Sequence, residues 1–301
     1  MAQESSAKEV FFHVGLGKTA TTYLQYQFFP KLRGIHYVQR TRYPKAPKII
    51  ARDASPRHLL SREFDQQLQE EIEKFAVHYP DTRAIVVFRR HDGWIASQYR
   101  RFAKNGIQIP FEEFFDIEKN EGLWKQADLD YSNKLSIIEN TFTRKPLVLF
   151  YENMREDPYA FFDQFATAIG ATYDRNQISL DAVHPSYEEK QLKTVRSVSK
   201  IFFPANPKQY NNAFLKRLQW RKQQLTSYSI MAEARFVPDS WLDQGELVPK
   251  GLLEKIRDVY AEDWEKVHAY ARANNDESSM MTQSAKTAAA TTAGSSPSQQ
   301  L

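Results

Sequence analysis

The sequence of 301 residues contains no cysteine, which excludes disulfides, thiolate metal ligands and cysteine nucleophiles together. It has no run of 18 apolar residues, so no membrane-spanning helix is expected. Its first residues lack a basic region followed by an apolar one, so no signal peptide is expected either. Basic residues number 41 against 37 acidic ones, too small an excess to predict nucleic acid as a specific partner. These absences predict a soluble, cytoplasmic protein.

The sequence has ample material for a core, with 42% hydrophobic residues and 20 phenylalanines. Short apolar segments typical of strands alternate with helical patterns, and they occupy residues 10–14, 35–38, 58–61, 84–88 and 147–151. The segment 84–88 is a continuous apolar run, as in a strand buried on both faces of a parallel sheet. This alternation predicts an α/β fold with a central, mostly parallel sheet, whose ligands bind at the carboxyl ends of the strands.

The pattern also predicts how the chain is organised. Residues 1–275 are expected to form one domain, with an irregular elaboration near residues 183–245 and one long late helix over residues 251–271. Residues 276–301 are a Ser/Thr/Ala/Gln-rich mixture without an aromatic residue, so they are expected to form a disordered tail.

The segment richest in chemical information is 15–25, which reads Gly-Leu-Gly-Lys-Thr-Ala-Thr-Thr-Tyr-Leu-Gln. A glycine-rich turn between a buried strand and a helix directs backbone N–H groups at one point, so it predicts an anion site, usually for phosphate. Lys18 adds a positive charge, and neighbouring threonines add hydroxyl groups. A Walker A loop needs a glycine five positions before its Gly-Lys pair, and that position is Phe12, inside the predicted strand. The loop therefore departs from the nucleoside-triphosphate pattern.

This segment resembles the 5′-phosphosulfate loop of sulfotransferases that use 3′-phosphoadenosine 5′-phosphosulfate (PAPS), especially the bacterial branch. The resemblance implies a P-loop-like three-layer sandwich with a C-terminal helical elaboration. It implies that Lys18 holds the bridging oxygen and the leaving phosphate. It also implies that the donor lies on Gly15, Gly17, Lys18, Thr19, Ala20, Thr21 and Thr22. Relatives usually have glycine where this chain has Ala20.

Two further motifs agree with this resemblance. Arg89 follows the strand at 84–88, and Ser97 comes eight residues later, an arrangement that resembles the family's 3′-phosphate site. A guanidinium binds phosphate oxygens in pairs, so the arginine suits that role. Residues 147–162 resemble the family's strand ending in Tyr-Glu and followed by an Asp-Pro helix start. In a later region that contributes to nucleotide and acceptor binding in relatives, Arg196 and Lys193 are the candidate residues.

Sulfuryl transfer to a hydroxyl needs a general base, and family members use His or Glu. Glu63 is the first candidate, because it follows the predicted strand at 58–61 on the ligand side and resembles a Ser-x-Glu of bacterial relatives. An acid in the first turn of a helix is the equally simple structural interpretation of Glu63. His58, at the opposite end of that strand, and His36, within a strand, are the alternatives. No sequence pattern suggests a metal site, and none is expected.

The resemblance thus implies transfer of a sulfuryl group from PAPS to an acceptor hydroxyl or amine, with 3′,5′-adenosine bisphosphate as product. The acceptor is left open among saccharides, lipids and small molecules, and so is the oligomeric state. Residues 190–222 hold nine basic residues and no acidic one, interleaved with aromatics, which suits a solvated face, an acceptor lid or a peripheral membrane contact. Two alternatives remain, namely a nucleotide or small-molecule kinase with a degenerate P-loop, and a non-catalytic anion-binding module.

Overall fold

The computed structural model describes residues 8–106, 108–181, 187–202 and 212–275. Its five strands are β1 (Glu9–His13), β2 (His36–Val38), β3 (Arg57–Ser61), β4 (Arg83–Phe88) and β5 (Leu147–Phe150). The α-helices of the described residues are α1 (Thr21–Tyr23), α2 (Ala46–Arg52), α3 (Leu68–Ala76), α4 (His91–Lys104), α5 (Phe111–Phe114), α6 (Tyr131–Thr141), α7 (Tyr151–Glu156), α8 (Pro158–Ala168), α9 (Glu189–Phe202), α10 (Ala213–Glu233), α11 (Lys250–Val259) and α12 (Ala261–Asn275).

All five strands form one sheet in the order β2-β3-β1-β4-β5, and every pairing is parallel. The α/β fold and the central parallel sheet predicted from the sequence are therefore confirmed. The strands lie where the short apolar runs predicted them. A parallel sheet is covered on both faces, so consecutive residues of its strands are buried and apolar. In β4 all six residues are buried.

Helical layers cover both faces of this sheet. On one face Phe11, Leu59 and Ile85 join a core that includes Phe28 from the segment after α1 and Phe165 from α8. On the other face the ring centroid of Phe12 lies 4.9 Å from that of Phe75 on α3, and the centroid of Phe88 lies 4.4 Å from that of Tyr131 on α6. The sheet is thus the middle of three layers, as the resemblance implied.

The Asp-Pro helix start predicted near residue 157 is confirmed. Asp157 caps α8 by accepting a hydrogen bond from the backbone N–H of Ala160, and Pro158 occupies the first helical position. The helix predicted after the glycine-rich loop is present as α1, a π-helical segment (Leu24–Phe28) and a 3₁₀ turn (Phe29–Lys31) in succession. Such wide π segments are often found at functional sites.

Two predictions in the C-terminal half are wrong. Residues 251–271 do not form one helix, because Tyr260 leaves the helical conformation (φ −97°, ψ 11°) between α11 and α12. Its ring stacks on His91 at 4.7 Å and its hydroxyl donates to the Gln126 carbonyl, so tertiary contacts hold the break. The described part of residues 183–245 is not irregular either, since α9 and α10 occupy much of it.

Contacts divide the chain into two compact units. Of the described residues, the first unit holds 8–89, 130–181 and 262–275, which include the sheet, and the second holds 90–106, 108–129, 187–202 and 212–261. The tail predicted for residues 276–301 lies outside the described residues, so that boundary stays a prediction. Among the helices that the structure describes, none combines the length and the apolar composition needed to cross a membrane.

Candidate functional site

The strand order creates a reversal point at the carboxyl edge of the sheet, between β1 and β4. After β1 the chain continues to β2 and β3 on one side, whereas after β4 it continues to β5 on the other side. Ligands of open parallel sheets bind at such points, because the two connections diverge from the strand ends. The loop at residues 14–20 leaves β1 here, and Arg89 directly follows β4.

The start of the loop is held against the residue that ends β1. A Cβ added to Gly15 would lie 2.6 Å from Nε2 of His13 and 3.2 Å from Oγ1 of Thr21, so a side chain has no room at this position. The backbone N–H of Val14 donates to the Ile85 carbonyl at 2.9 Å and thus extends the pairing of β1 with β4. Glycine at position 15 is therefore a packing requirement set by the imidazole beside it.

Two non-glycine residues of the loop have left-handed backbone conformations. Lys18 has φ 70° and Ala20 has φ 62°, and Lys18 is exposed. This conformation costs an L-residue about 1–2 kcal/mol, whereas glycine adopts it freely. Glycine at position 20 would adopt this positive φ without that cost.

The threonines of the loop bond to the loop itself. Oγ1 of Thr19 donates to the Leu16 carbonyl at 2.7 Å, and Oγ1 of Thr21 donates to the same carbonyl at 3.2 Å. Both residues are buried, whereas Thr22 is half-buried. In this arrangement the hydroxyls of Thr19 and Thr21 fix the shape of the loop. Their predicted role as ligand donors stays a prediction.

An acidic side chain, which the sequence interpretation missed, reaches the centre of the loop. The backbone N–H of Gly17 donates to Oδ1 of Asp65 at 2.8 Å, although the two residues are 48 positions apart. Asp65 is half-buried and lies in the segment between β3 and α3. A backbone amide of the predicted anion loop therefore binds an anionic oxygen of the chain itself.

Arg89 lies beside the same loop. Its Nη1 donates to the Lys18 carbonyl at 3.3 Å, and its guanidinium lies 4.6 Å from the ring centroid of Tyr151. The Tyr131 hydroxyl donates to the Arg89 carbonyl at 2.8 Å and so fixes the backbone there. Burial lowers the pKa of Arg89 from its usual value, yet guanidinium stays protonated in proteins. The structure thus brings two cationic residues of the prediction, Lys18 and Arg89, to one loop.

Glu63 is held near the loop through its neighbours in sequence. The N–H of Arg62 donates to the His13 carbonyl at 3.0 Å, and the N–H of Phe64 donates to the Gly15 carbonyl at 3.2 Å. Glu63 stands between these two anchored residues and is half-buried. Its predicted location, past the carboxyl end of β3 and on the side of the glycine-rich loop, agrees with the structure.

A buried, hydrogen-bonded group of three side chains includes the last residues of β1 and β3. Nδ1 of His13 and Oγ of Ser61 are 2.8 Å apart, and Nε2 of Gln25 donates to the same Oγ at 3.0 Å. Complete burial lowers the pKa of His13 from 6.5 to about 3, so its imidazole is neutral at pH 7. Sequence reasoning missed this group, although a histidine and a serine ending two apolar strands were visible signals.

The other candidate bases lie at the amino edge of the sheet. His36 is the first residue of β2 and pairs in register with His58, the second residue of β3. The glycine-rich loop and Glu63 follow the carboxyl ends of their strands, so this edge is the opposite one. The fold therefore separates His58 and His36 from the glycine-rich loop and Glu63, and which of the three acts as the base stays a prediction. Both histidines instead bond to Asp53, at 2.8 Å from Nδ1 of His36 and 3.2 Å from Nε2 of His58.

The remaining candidates belong to the second unit. Ser97 is half-buried on α4. Arg196 on α9 donates from Nη1 to the Tyr99 hydroxyl at 3.1 Å and forms an ion pair with Asp243. Lys193 pairs with Glu189 at 3.0 Å on the same helix. Their predicted contacts with a nucleotide stay predictions.

Comparisons with known proteins add little to this geometry. No family model matches the chain, and no curated protein matches it. A solved structure of a sulfotransferase from Alicyclobacillus acidocaldarius is similar at 14% identity and a TM-score of 0.44, over 78% of this chain and 99% of that chain. This likeness is too distant to identify a family or an activity.

Proposed function

We propose that this protein transfers a sulfuryl group from PAPS to an acceptor hydroxyl. The observation that carries the proposal is the bond from the Gly17 amide to the Asp65 carboxylate, in a loop that also presents Lys18 and contacts Arg89. It supports binding of an anionic group by this loop, at the reversal point where parallel sheets bind ligands. The resemblance of residues 15–25 to the phosphosulfate loop supports the choice of donor.

Sulfuryl transfer requires the protein to neutralise negative charge on the leaving group and to accept one proton from the acceptor hydroxyl. The acceptor oxygen forms a bond to sulfur while the bond from sulfur to the bridging oxygen breaks, which leaves 3′,5′-adenosine bisphosphate. Negative charge grows on the bridging oxygen, and Lys18 is the cation proposed to stabilise it. Glu63 is proposed to accept the proton of the hydroxyl. Arg89 and Ser97 are proposed, from the resemblance alone, to bind the 3′-phosphate, and Arg196 is proposed to contribute to nucleotide or acceptor binding.

The first test is thermal unfolding of the full chain with 3′,5′-adenosine bisphosphate and, separately, with ATP and Mg²⁺. A ligand at 100 times its Kd adds about 2.7 kcal/mol, which shifts the Tm of a chain of this size by about 4–5 °C. We expect a shift with the bisphosphate that is lost in Lys18→Ala and kept in Lys31→Ala, which removes another exposed lysine beyond the loop. A shift with ATP alone would contradict the choice of donor and favour a kinase.

The proposed base is tested by Glu63→Gln. With an acceptor found by screening for release of the bisphosphate, we expect kcat to fall by a factor of about 10²–10⁴ while bisphosphate binding stays unchanged. Glu70→Gln is the matched control, because Glu70 is an exposed acid on α3. Full turnover by Glu63→Gln would remove Glu63 from the mechanism and leave the donor assignment intact.

A further inference from the structure

A group of three metal-ligating side chains lies at the amino edge of the sheet, opposite the glycine-rich loop. Within the part of the chain that the structure describes, His36, Asp53 and His58 are the one set of three such residues whose ligand atoms all lie within 4.8 Å of one another. They come from three different elements, since His36 begins β2, Asp53 follows α2, and His58 lies in β3.

The backbone holds these three residues in place. The parallel register puts His36 opposite His58, and their rings stack with centroids 5.5 Å apart. Asp53 is fixed by the turn that follows it, because its Oδ1 accepts from the N–H of Ser55 at 2.9 Å. The ammonium of Lys8 donates to the carbonyls of Asp53 and Ser55 at 2.7 and 3.0 Å and closes the same turn. The ligand atoms therefore converge because of the sheet register and an ordered turn.

The distances fit a small divalent ion. Nδ1 of His36 lies 2.8 Å from one oxygen of Asp53, and Nε2 of His58 lies 3.2 Å from the other. Ligands at the usual zinc bond lengths of ~2.0–2.1 Å stand about 3.3 Å apart in a tetrahedron, so a small adjustment makes room for the ion. Two imidazoles and one carboxylate form a donor set suited to Zn²⁺ and similar transition ions rather than to Mg²⁺ or Ca²⁺.

We propose that His36, Asp53 and His58 form a binding site for a divalent transition-metal ion of the Zn²⁺ class. His58 is fully buried, whereas the side chains of His36 and Asp53 are 32% and 26% exposed, so solvent reaches the site and completes the coordination. The ion joins the start of β2 to the turn that leads into β3. This proposal concerns the sheet edge opposite the glycine-rich loop, so it does not depend on the proposed sulfuryl transfer.

The test uses the untagged full chain, freed of metal by a chelator and titrated with ZnCl₂ in a calorimeter. We expect one Zn²⁺ per chain and a loss of affinity of at least about 100-fold in both His36→Ala and Asp53→Ala. His78→Ala is the matched control and should leave binding unchanged, because His78 is an exposed histidine in the turn after α3. His36 and Asp53 carry the test because they are partly exposed, whereas a His58 variant risks unfolding.

Co²⁺ gives a second readout, since its visible absorption reports the ligands and their geometry. We expect a tetrahedral Co²⁺ spectrum in the parent chain and in His78→Ala that is absent in His36→Ala. We also expect ZnCl₂ to raise the Tm of the parent chain and not that of His36→Ala. Absence of stoichiometric Zn²⁺ binding, or binding that His36→Ala leaves unweakened, would overturn the proposal.

Discussion

Replacing Asp65 should strengthen anion binding at the glycine-rich loop. Its carboxylate accepts the Gly17 N–H at 2.8 Å, so an incoming anion has to displace it from that amide. A hydrogen bond to a charged group contributes about 1.5–3 kcal/mol, and the half-buried position of Asp65 places it near the lower value. Since about 1.4 kcal/mol corresponds to a factor of ten, we expect Asp65→Ala to lower the Kd of 3′,5′-adenosine bisphosphate about tenfold.

The assay is isothermal titration with the bisphosphate at fixed ionic strength. Asp65→Asn should give an intermediate Kd, because a neutral amide oxygen still accepts the Gly17 N–H but more weakly. Glu70→Gln removes one negative charge from α3 far from Gly17 in sequence, so it controls for net charge. Unchanged or weaker binding by Asp65→Ala would refute the idea that this carboxylate competes with the ligand.

Two further predictions concern stability. Ala20→Gly should raise the free energy of unfolding by about 0.5–1 kcal/mol, because relief of the left-handed conformation (φ 62°) exceeds the extra unfolded-state entropy of glycine. Urea unfolding measures this change, and a less stable variant would contradict it. His13→Asn should flatten the loss of stability below pH 6.5, since the folded-state pKa of His13 is depressed to about 3. In the parent chain, His13 binds a proton more tightly in the unfolded state than in the folded state. The free energy of unfolding therefore keeps its full value above about pH 6.5 and falls by about 2 kcal/mol on going to pH 5. Urea titrations of both chains at pH 5 and 7.5 test this, and an unchanged pH dependence would contradict it.

The sequence was informative wherever one segment determines its own structure. The apolar run at 84–88 needed no partner to be interpreted as a buried strand, and it became β4. The glycines at 15 and 17 and the cap at Asp157 are likewise local signals, read within a few residues. These signals sufficed for the parallel sheet and for the position of the glycine-rich loop.

What the sequence did not reveal depends on contacts between distant residues. The bond from Gly17 to Asp65 spans 48 positions, and no local pattern announces it. The convergence of His36, Asp53 and His58 requires the register of β2 with β3, which an isolated pattern leaves open. The break at Tyr260 arises from ring stacking on His91, whereas the local helical periodicity runs straight through it.

The position of β1 in the sheet has a consequence for how the chain folds during synthesis. β1 is made first, yet its two neighbours are β3 and β4, which end at Ser61 and Phe88. One hydrogen-bonding edge of this apolar strand therefore stays open until β3 is complete, some 48 residues after His13, and the other stays open until β4 is complete, some 75 residues after His13. Open strand edges pair readily with other chains, and distant parallel pairing forms slowly. The nascent chain is thus most prone to aggregate in the interval before residues 83–88 emerge.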